Sequence, residues 1–274
     1  MIPVAFDYER ATSTEQALSL LAEHGDEAKL IAGGHSLLPL MKYRLAAPAV
    51  LIDIGRLEEL SYIRDEGEEL AIGALTRHCE VEQNDLVRSQ VGLLAAATSQ
   101  VGDPQVRHRG TIGGAMAHGD PASDLPAALI ALRGSLVIDG PSGRRQVEAD
   151  SFFTGFLETD LGEDEMLVEV RLPKLPDSTW SFQKFNRRAQ DWAIVGSAVV
   201  VDQGICGVGL VNMDSRPIRA TAVEEAIKNG SSAAEASELA ADGCEPPADI
   251  NAGMDYRRHL ARVLTRRGLE ESGR

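Results

Sequence analysis

Positive charge is what this chain most lacks. It carries 27 Lys and Arg against 42 Asp and Glu, a formal net charge of −15. That balance argues against a nucleic-acid binder, which needs clustered cations to meet phosphates. The arginines that do gather (Arg257, Arg258, Arg262, Arg266, Arg267) sit near the C-terminus at helical spacing. They read as a solvated helix face, with docking to an acidic partner as the second reading. Cysteine is scarce as well: Cys79, Cys206 and Cys244 are scattered and none forms a CxxC pair. Neither a structural zinc nor an iron–sulfur cluster is expected on this chain alone. An odd cysteine count without a signal-peptide pattern fits a reducing cytoplasm, so a cytoplasmic location is expected. No apolar run approaches membrane-spanning length, so no integral membrane segment is expected.

What is present is an ordinary globular composition, 274 residues with 43% hydrophobic and 25% charged side chains. That length suits two domains, or three small ones. The N-terminal segment reads as strand, helix, strand. Ser13 and Gln16 form a capping box ahead of the apolar stripe Leu18, Leu21 and Ala22, and Gly25 supplies the stop. "KLIAGG" and "AVLIDIG" are short strands, which makes the unit resemble βαβ. From about Glu69 a new segment begins: "ELAIGALT" is a strand, and Thr76 is placed to cap a short helix. "VGLLAAATSQVG" and "DLPAALIAL" are helices, "SLVIDGPSGRRQV" is a hairpin, and "EMLVEVRLP" is a strand. After Pro173 and Pro176 the texture changes to antiparallel strands turning around Asp202-Gln203-Gly204, and then to helices. This tail reads as a separate small α+β module.

Two glycine pairs stand out, "AGGHS" at residues 32–36 and "TIGGA" at residues 111–115. In the first, a strand runs into Gly33-Gly34, where no Cβ blocks a ligand, and Ser36 can cap the following "LLPLMKYR" helix. Free backbone N–H groups at such a place favour an anion, typically phosphate, although adjacent glycines also make plain turns. Neither a Walker loop nor GxGxxG is present, because no lysine follows and the spacing differs. In the second pair Thr111 offers a hydroxyl, while Ala115 and Met116 keep the approach apolar. The same stretch, "TIGGAMAHGDPASDLP", also holds His118, Asp120 and Asp124. Those three open a metal or acid–base reading, but no known ligand spacing supports it, so no metal and no catalytic residue is expected. Asp124 suits an N-cap or a hydrogen bond to a ligand hydroxyl.

Three stretches together carry a resemblance: "KLIAGGHSLLPLMKYR", "VGDPQVRHRGTIGGAMAHGDPASDLPAAL" and "FNRRAQDWAIVG". In order and separation they are similar to the FAD-binding (medium) subunits of molybdenum hydroxylases, the carbon monoxide dehydrogenase and xanthine dehydrogenase family. The resemblance covers essentially the whole chain. It implies an α+β fold of the vanillyl-alcohol-oxidase (PCMH) type, with two α+β subdomains at about 1–56 and 57–175. A C-terminal flavoprotein domain of α+β type would follow at 176–274.

The same resemblance implies the site. The FAD pyrophosphate would lie on Lys29, Leu30, Ile31, Ala32, Gly33, Gly34, His35 and Ser36, and on Thr111, Ile112, Gly113, Gly114 and Ala115. Val101 and Leu167 would be apolar contacts, Asp124 a hydrogen-bonding ligand, and Lys184 a flavin contact. His35 and His118 would support the loops through hydrogen bonds. Two positions depart from the family pattern. Ala115 replaces the asparagine of T-I-G-G-N, at a cost of about 1 kcal/mol of hydrogen bonding. Trp192 stands where a tyrosine meets the isoalloxazine, and tryptophan stacks at least as well on a flat ring.

The implied role is an FAD-dependent oxidoreductase subunit that passes electrons from [2Fe–2S] clusters to an external acceptor. Molybdopterin and the clusters would sit only on partner large and small subunits, in a dimer of heterotrimers. A stand-alone flavin oxidoreductase and a flavin-free structural subunit are the alternatives.

Overall fold

The protein is described by a computed structural model covering residues 2–274. Its strands form three main sheets, each with its own apolar core. The N-terminal sheet is parallel, with Val50–Asp53 between Asp7–Arg10 and Ala28–Ile31. Its covering helix Thr14–His24 starts as the sequence indicates, since Ser13 Oγ accepts from Gln16 N at 3.2 Å. The other half of the expected capping box is displaced by one residue. The Gln16 side chain accepts from Thr12 N, at 2.7 Å, instead of from Ser13.

The second sheet is antiparallel, in the order Ile63–Asp65, Glu69–Gly73, Met166–Pro173, Ser135–Asp139 and Arg145–Glu148. The last two strands are the expected hairpin. Small-residue helices Gly92–Ser99 and Asp124–Ala131 fill the core behind this sheet with Leu93, Leu94, Ala97, Leu125, Ala128 and Leu129. Thr76 does not cap a helix. It is buried and exchanges hydrogen bonds with the backbone of Tyr62, and the next helix, His78–Gln83, begins two residues later.

The third sheet, Thr179–Phe185, Val195–Asp202, Ile205–Val211 and Ile218–Arg219, is antiparallel and backed by helices Thr221–Lys228 and Met254–Glu271. Its other side receives helix Asp124–Ala131. The glycines of "GVG" make that approach possible. A Cβ on Gly207 would stand 2.1 Å from the Ala131 carbonyl oxygen, and one on Gly209 would stand 2.0 Å from that of Ala127. Helix and strand therefore meet backbone to backbone, at the separation where Cα–H groups face carbonyl oxygens. Because the helix belongs to the segment before Pro173, this contact sets how the C-terminal module sits on the rest.

The C-terminal helix carries the expected solvated arginine face with one correction, at Arg257. Arg257 is fully buried; its guanidinium donates to the Ile194 carbonyl and pairs with Asp249 at 2.8 Å. Arg266 and Arg267 are exposed, Arg266 paired with Glu270 one turn on, and Arg258 and Arg262 are part-exposed. A buried cation survives only with such partners, and both come from other parts of the chain.

Two outcomes follow from this packing. Gly209→Ala should destabilise the protein by about 2 kcal/mol in denaturant unfolding, because the added methyl meets a helix backbone that cannot step aside. Arg257→Ala should cost about 3 kcal/mol in the same measurement, leaving the Ile194 carbonyl without its donor.

Candidate functional site

The two glycine loops meet. Gly33 follows the strand Ala28–Ile31 and lies against the turn that leads into Thr111. A Cβ at Gly33 would stand 2.2 Å from the Arg109 carbonyl oxygen and 3.0 Å from Gly110 Cα. Gly34 has φ +75°, a conformation that suits glycine. Among the described residues, the backbone N–H groups of Gly33, Gly34, His35 and Ser36 donate to no protein acceptor. Four successive unsatisfied donors on a half-exposed loop are what an anion requires. Ser36 does not cap the helix Leu37–Tyr43 that follows; its own backbone is already helical, with φ −99° and ψ −51°. Lys29 is exposed on its strand, while Leu30 and Ala32 pack on the N-terminal core.

The second loop is built differently from the expectation of free donors. Ile112 N donates to Thr76 O at 3.0 Å, and Gly113 N donates to Ala74 O at 2.9 Å. Gly114 N reaches Thr111 Oγ1 at 3.1 Å, and Ala115 N reaches Thr111 O at 3.1 Å. The first turn of helix Ile112–His118 is thus satisfied within the protein. Gly113 is wedged against Ala74, where a Cβ would stand 2.5 Å from the alanine methyl. Gly114 is exposed, and a Cβ there would meet only the Thr111 hydroxyl, at 2.7 Å. This loop offers an open surface for close approach, with few donors. Ala115 packs its methyl on the main core, and Met116 is fully buried instead of lining an approach.

Asp124 and Lys184 come together. Asp124 is the first residue of its helix and does not cap it, while Lys184 lies on Thr179–Phe185. Lys184 Nζ donates to Asp124 Oδ2 at 2.6 Å and to the Gln100 carbonyl at 2.9 Å. Both side chains are almost fully enclosed, at 2% and 6% exposure, and Asp124 Oδ1 is buried without a hydrogen-bond partner. Burial pushes the Asp124 carboxyl up to about 6, against the pull of Lys184. A buried carboxylate oxygen left open in this way is fit to accept a hydroxyl from a ligand. Val101 lies beside Gln100, half-buried against the main core, and its carbonyl accepts from Arg107 at 3.1 Å.

The remaining candidates have different surroundings. Leu167 is inside the main core, paired with Ile138. Trp192 is 69% exposed and lines a cleft of about 350 Å³ with Asp120, Phe156, Asn212 and Arg257. Neither His35 nor His118 forms the expected loop hydrogen bond among the described residues; burial lowers the pKa of each. Asp120 accepts from Ala122 N at 2.8 Å, closing its own turn. Among the described residues no group of three His, Cys, Asp or Glu stands together as a metal site.

Motif reading missed Arg77 and His78. The Arg77 guanidinium donates to the carbonyls of Arg109 and Gly55. The His78 ring lies under Gly110 with Nδ1 unpartnered, and burial pushes its pKa down to about 4. The adjacency "RH" after a strand end was the available signal, and it is a weak one.

The chain matches known proteins along nearly its whole length. Residues 4–175 match the family described as the FAD binding domain in molybdopterin dehydrogenase, and residues 180–272 match the CO dehydrogenase flavoprotein C-terminal domain. The carbon monoxide dehydrogenase medium chain of Hydrogenophaga pseudoflava is 41% identical, over 98% of this chain and 97% of that one. The glyceraldehyde dehydrogenase medium chain of Sulfolobus acidocaldarius is 36% identical, over 99% of each. A solved structure of carbon monoxide dehydrogenase from H. pseudoflava superimposes with a TM-score of 0.96, covering 99% of this chain and 98% of that one. The expected α+β fold is borne out by these matches.

The Asp124 carboxyl generates a pH test. Its folded pKa, about 6, lies above the ordinary 3.8. The stability it contributes is therefore fully present below 3.8 and is lost as pH rises through about 6. A series of denaturant midpoints should show wild type losing stability relative to Asp124→Asn across that window. A wild type that gains on the variant there would contradict the assignment.

Proposed function

Since the chain belongs to the family of FAD-binding medium chains of molybdopterin dehydrogenases, we propose that it is the electron-transfer subunit of a molybdenum hydroxylase complex. Its cofactor is FAD, and it is an oxidoreductase subunit. The observation that carries the finer reading is the pairing of an open N–H loop at residues 33–36 with the unpartnered Asp124 Oδ1. Those are the two polar features a dinucleotide with a hydroxylated chain would need.

In this reading Gly33, Gly34, His35 and Ser36 bind the pyrophosphate through their N–H groups, and residues 29–32 deliver the chain to that point. Thr111, Ile112, Gly113, Gly114 and Ala115 form the opposite wall, held rigid by their bonds to Thr76 and Ala74. Asp124 accepts a ligand hydroxyl. Lys184, oriented by Asp124 and Gln100, keeps positive charge near the flavin. Val101 gives an apolar contact, Leu167 backs the site from the core, and Trp192 stacks on the ring.

When bound, FAD exchanges electrons singly or in pairs and so links one-electron iron–sulfur donors to a two-electron acceptor. The partners are a molybdopterin-binding large subunit and a [2Fe–2S] small subunit, in a dimer of heterotrimers in the cytoplasm. No helix among the described residues is long and apolar enough to cross a membrane. The division at 1–175 and 176–274, with subdomains at about 1–56 and 57–175, belongs to the same reading. The matched segments 4–175 and 180–272 support its main boundary. Relatives named for carbon monoxide and for glyceraldehyde resemble this chain to a similar degree. In this reading the complex's substrate is chosen on another subunit.

Protein purified from its native cells should absorb near ~450 nm, as flavoproteins do. A molybdenum subunit and an iron–sulfur subunit should accompany it. Colourless protein that stays colourless after FAD reconstitution would contradict the cofactor assignment. Yellow protein free of such partners would overturn the assembly and leave a stand-alone oxidoreductase.

A further inference from the structure

Arg77 ties three loops together at the glycine cradle, and no glycine motif includes it. Its guanidinium donates to the carbonyl of Arg109 and, at 3.4 Å, to that of Gly55. Each carbonyl sits on a loop that touches the stretch from Ala32 to Gly33. The Arg109 oxygen is the atom against which Gly33 is packed, and a Cβ on Gly55 would stand 3.2 Å from Ala32 O. The backbone at Arg77 bridges to Thr111 as well, through His78 N to Gly110 O and Ile112 N to Thr76 O, both at 3.0 Å. From the other side Gly110 rests on the His78 ring, where a Cβ would stand 2.6 Å from Cδ2. The turn that carries the Arg109 carbonyl is thus caught between two side chains.

The chemistry of the residue suits this task. A guanidinium is a planar fork of fixed donors and can hold two carbonyls of different loops at a set separation. Neither Arg77 nor Arg109 forms an ion pair among the described residues, although the chain as a whole is acidic.

We propose that Arg77 is a positioning residue of the dinucleotide cradle: it holds the Arg109 carbonyl against Gly33 and spans to Gly55, fixing the two glycine loops at the separation that accepts a pyrophosphate. The proposal rests on the reading of this cradle as the FAD site.

The test titrates FAD back into deflavinated protein, isolated with its native partners, and follows flavin fluorescence. Arg77→Met should bind FAD at least about tenfold more weakly, the range for losing a charged hydrogen-bond donor. Its flavin-free melting temperature and the absorption spectrum of the flavin it does bind should match wild type. Arg77→Lys, which keeps the charge and loses the fork, should recover the affinity only in part. Gly33→Ala, which drives a methyl into the same carbonyl, should lose FAD too. Affinity within about twofold of wild type in Arg77→Met overturns the proposal, as does full recovery in Arg77→Lys. So does an affinity loss matched by a fall in flavin-free melting temperature in both Arg77 variants. If Gly33→Ala loses FAD while Arg77→Met keeps it, the cradle stands and Arg77 is not its positioner. A wild type that takes up no FAD removes the underlying reading itself.

Discussion

The absence of side chains at Gly207 and Gly209 is the constraint from which the architecture of the site follows. Only a bare strand can admit helix Asp124–Ala131 to the point where Cβ positions would fall 2.0–2.1 Å from its carbonyls. That seating brings the first residue of the helix, Asp124, to Lys184 on the neighbouring part of the same sheet. One half of the site comes from before Pro173 and the other from after it. The ion pair of Asp124 with Lys184 is enclosed, with both side chains almost fully buried. Enclosure in turn raises the Asp124 pKa and leaves Oδ1 unpartnered. Packing of the bare strand on the helix and burial of the ion pair at the helix start go together.

The glycine cradle divides its labour between two loops. Residues 33–36 keep their N–H groups free, whereas residues 112–115 spend theirs on Thr76, Ala74 and Thr111. Free N–H groups can turn toward an anion, whereas bonded ones hold their loop in place. Packing Gly33 on the Arg109 carbonyl, just ahead of the bonded loop, sets the free donors beside a fixed platform.

Local chemistry in the sequence carried most of the fold. The Ser13 cap, the hairpin across Pro141-Ser142-Gly143 and the turn at Asp202-Gln203-Gly204 are each decided within a few residues, and the structure has all three. Readings that depended on distant partners fared differently. Thr76 has the composition of a cap, but Tyr62 engages it first. Arg257 follows a solvated periodicity, yet the Ile194 carbonyl and Asp249 draw it inside. For the site, the family resemblance named both Asp124 and Lys184, while nothing in their spacing announces that they touch. Which N–H groups of the second loop are free was also illegible, because their acceptors lie on the strand end at Ala74 and Thr76. Arg77 escaped notice because its role consists of carbonyls, which every residue has.

The most direct test of the central claim is an experimental structure of the complex purified from native cells. The account predicts FAD density whose pyrophosphate lies on the N–H groups of residues 33–36 and whose polar chain approaches Asp124 Oδ1. Flavin density elsewhere, for instance in the cleft lined by Tyr62, Arg64 and Glu169, would contradict it. So would a flavin-saturated sample with no density at the two glycine loops.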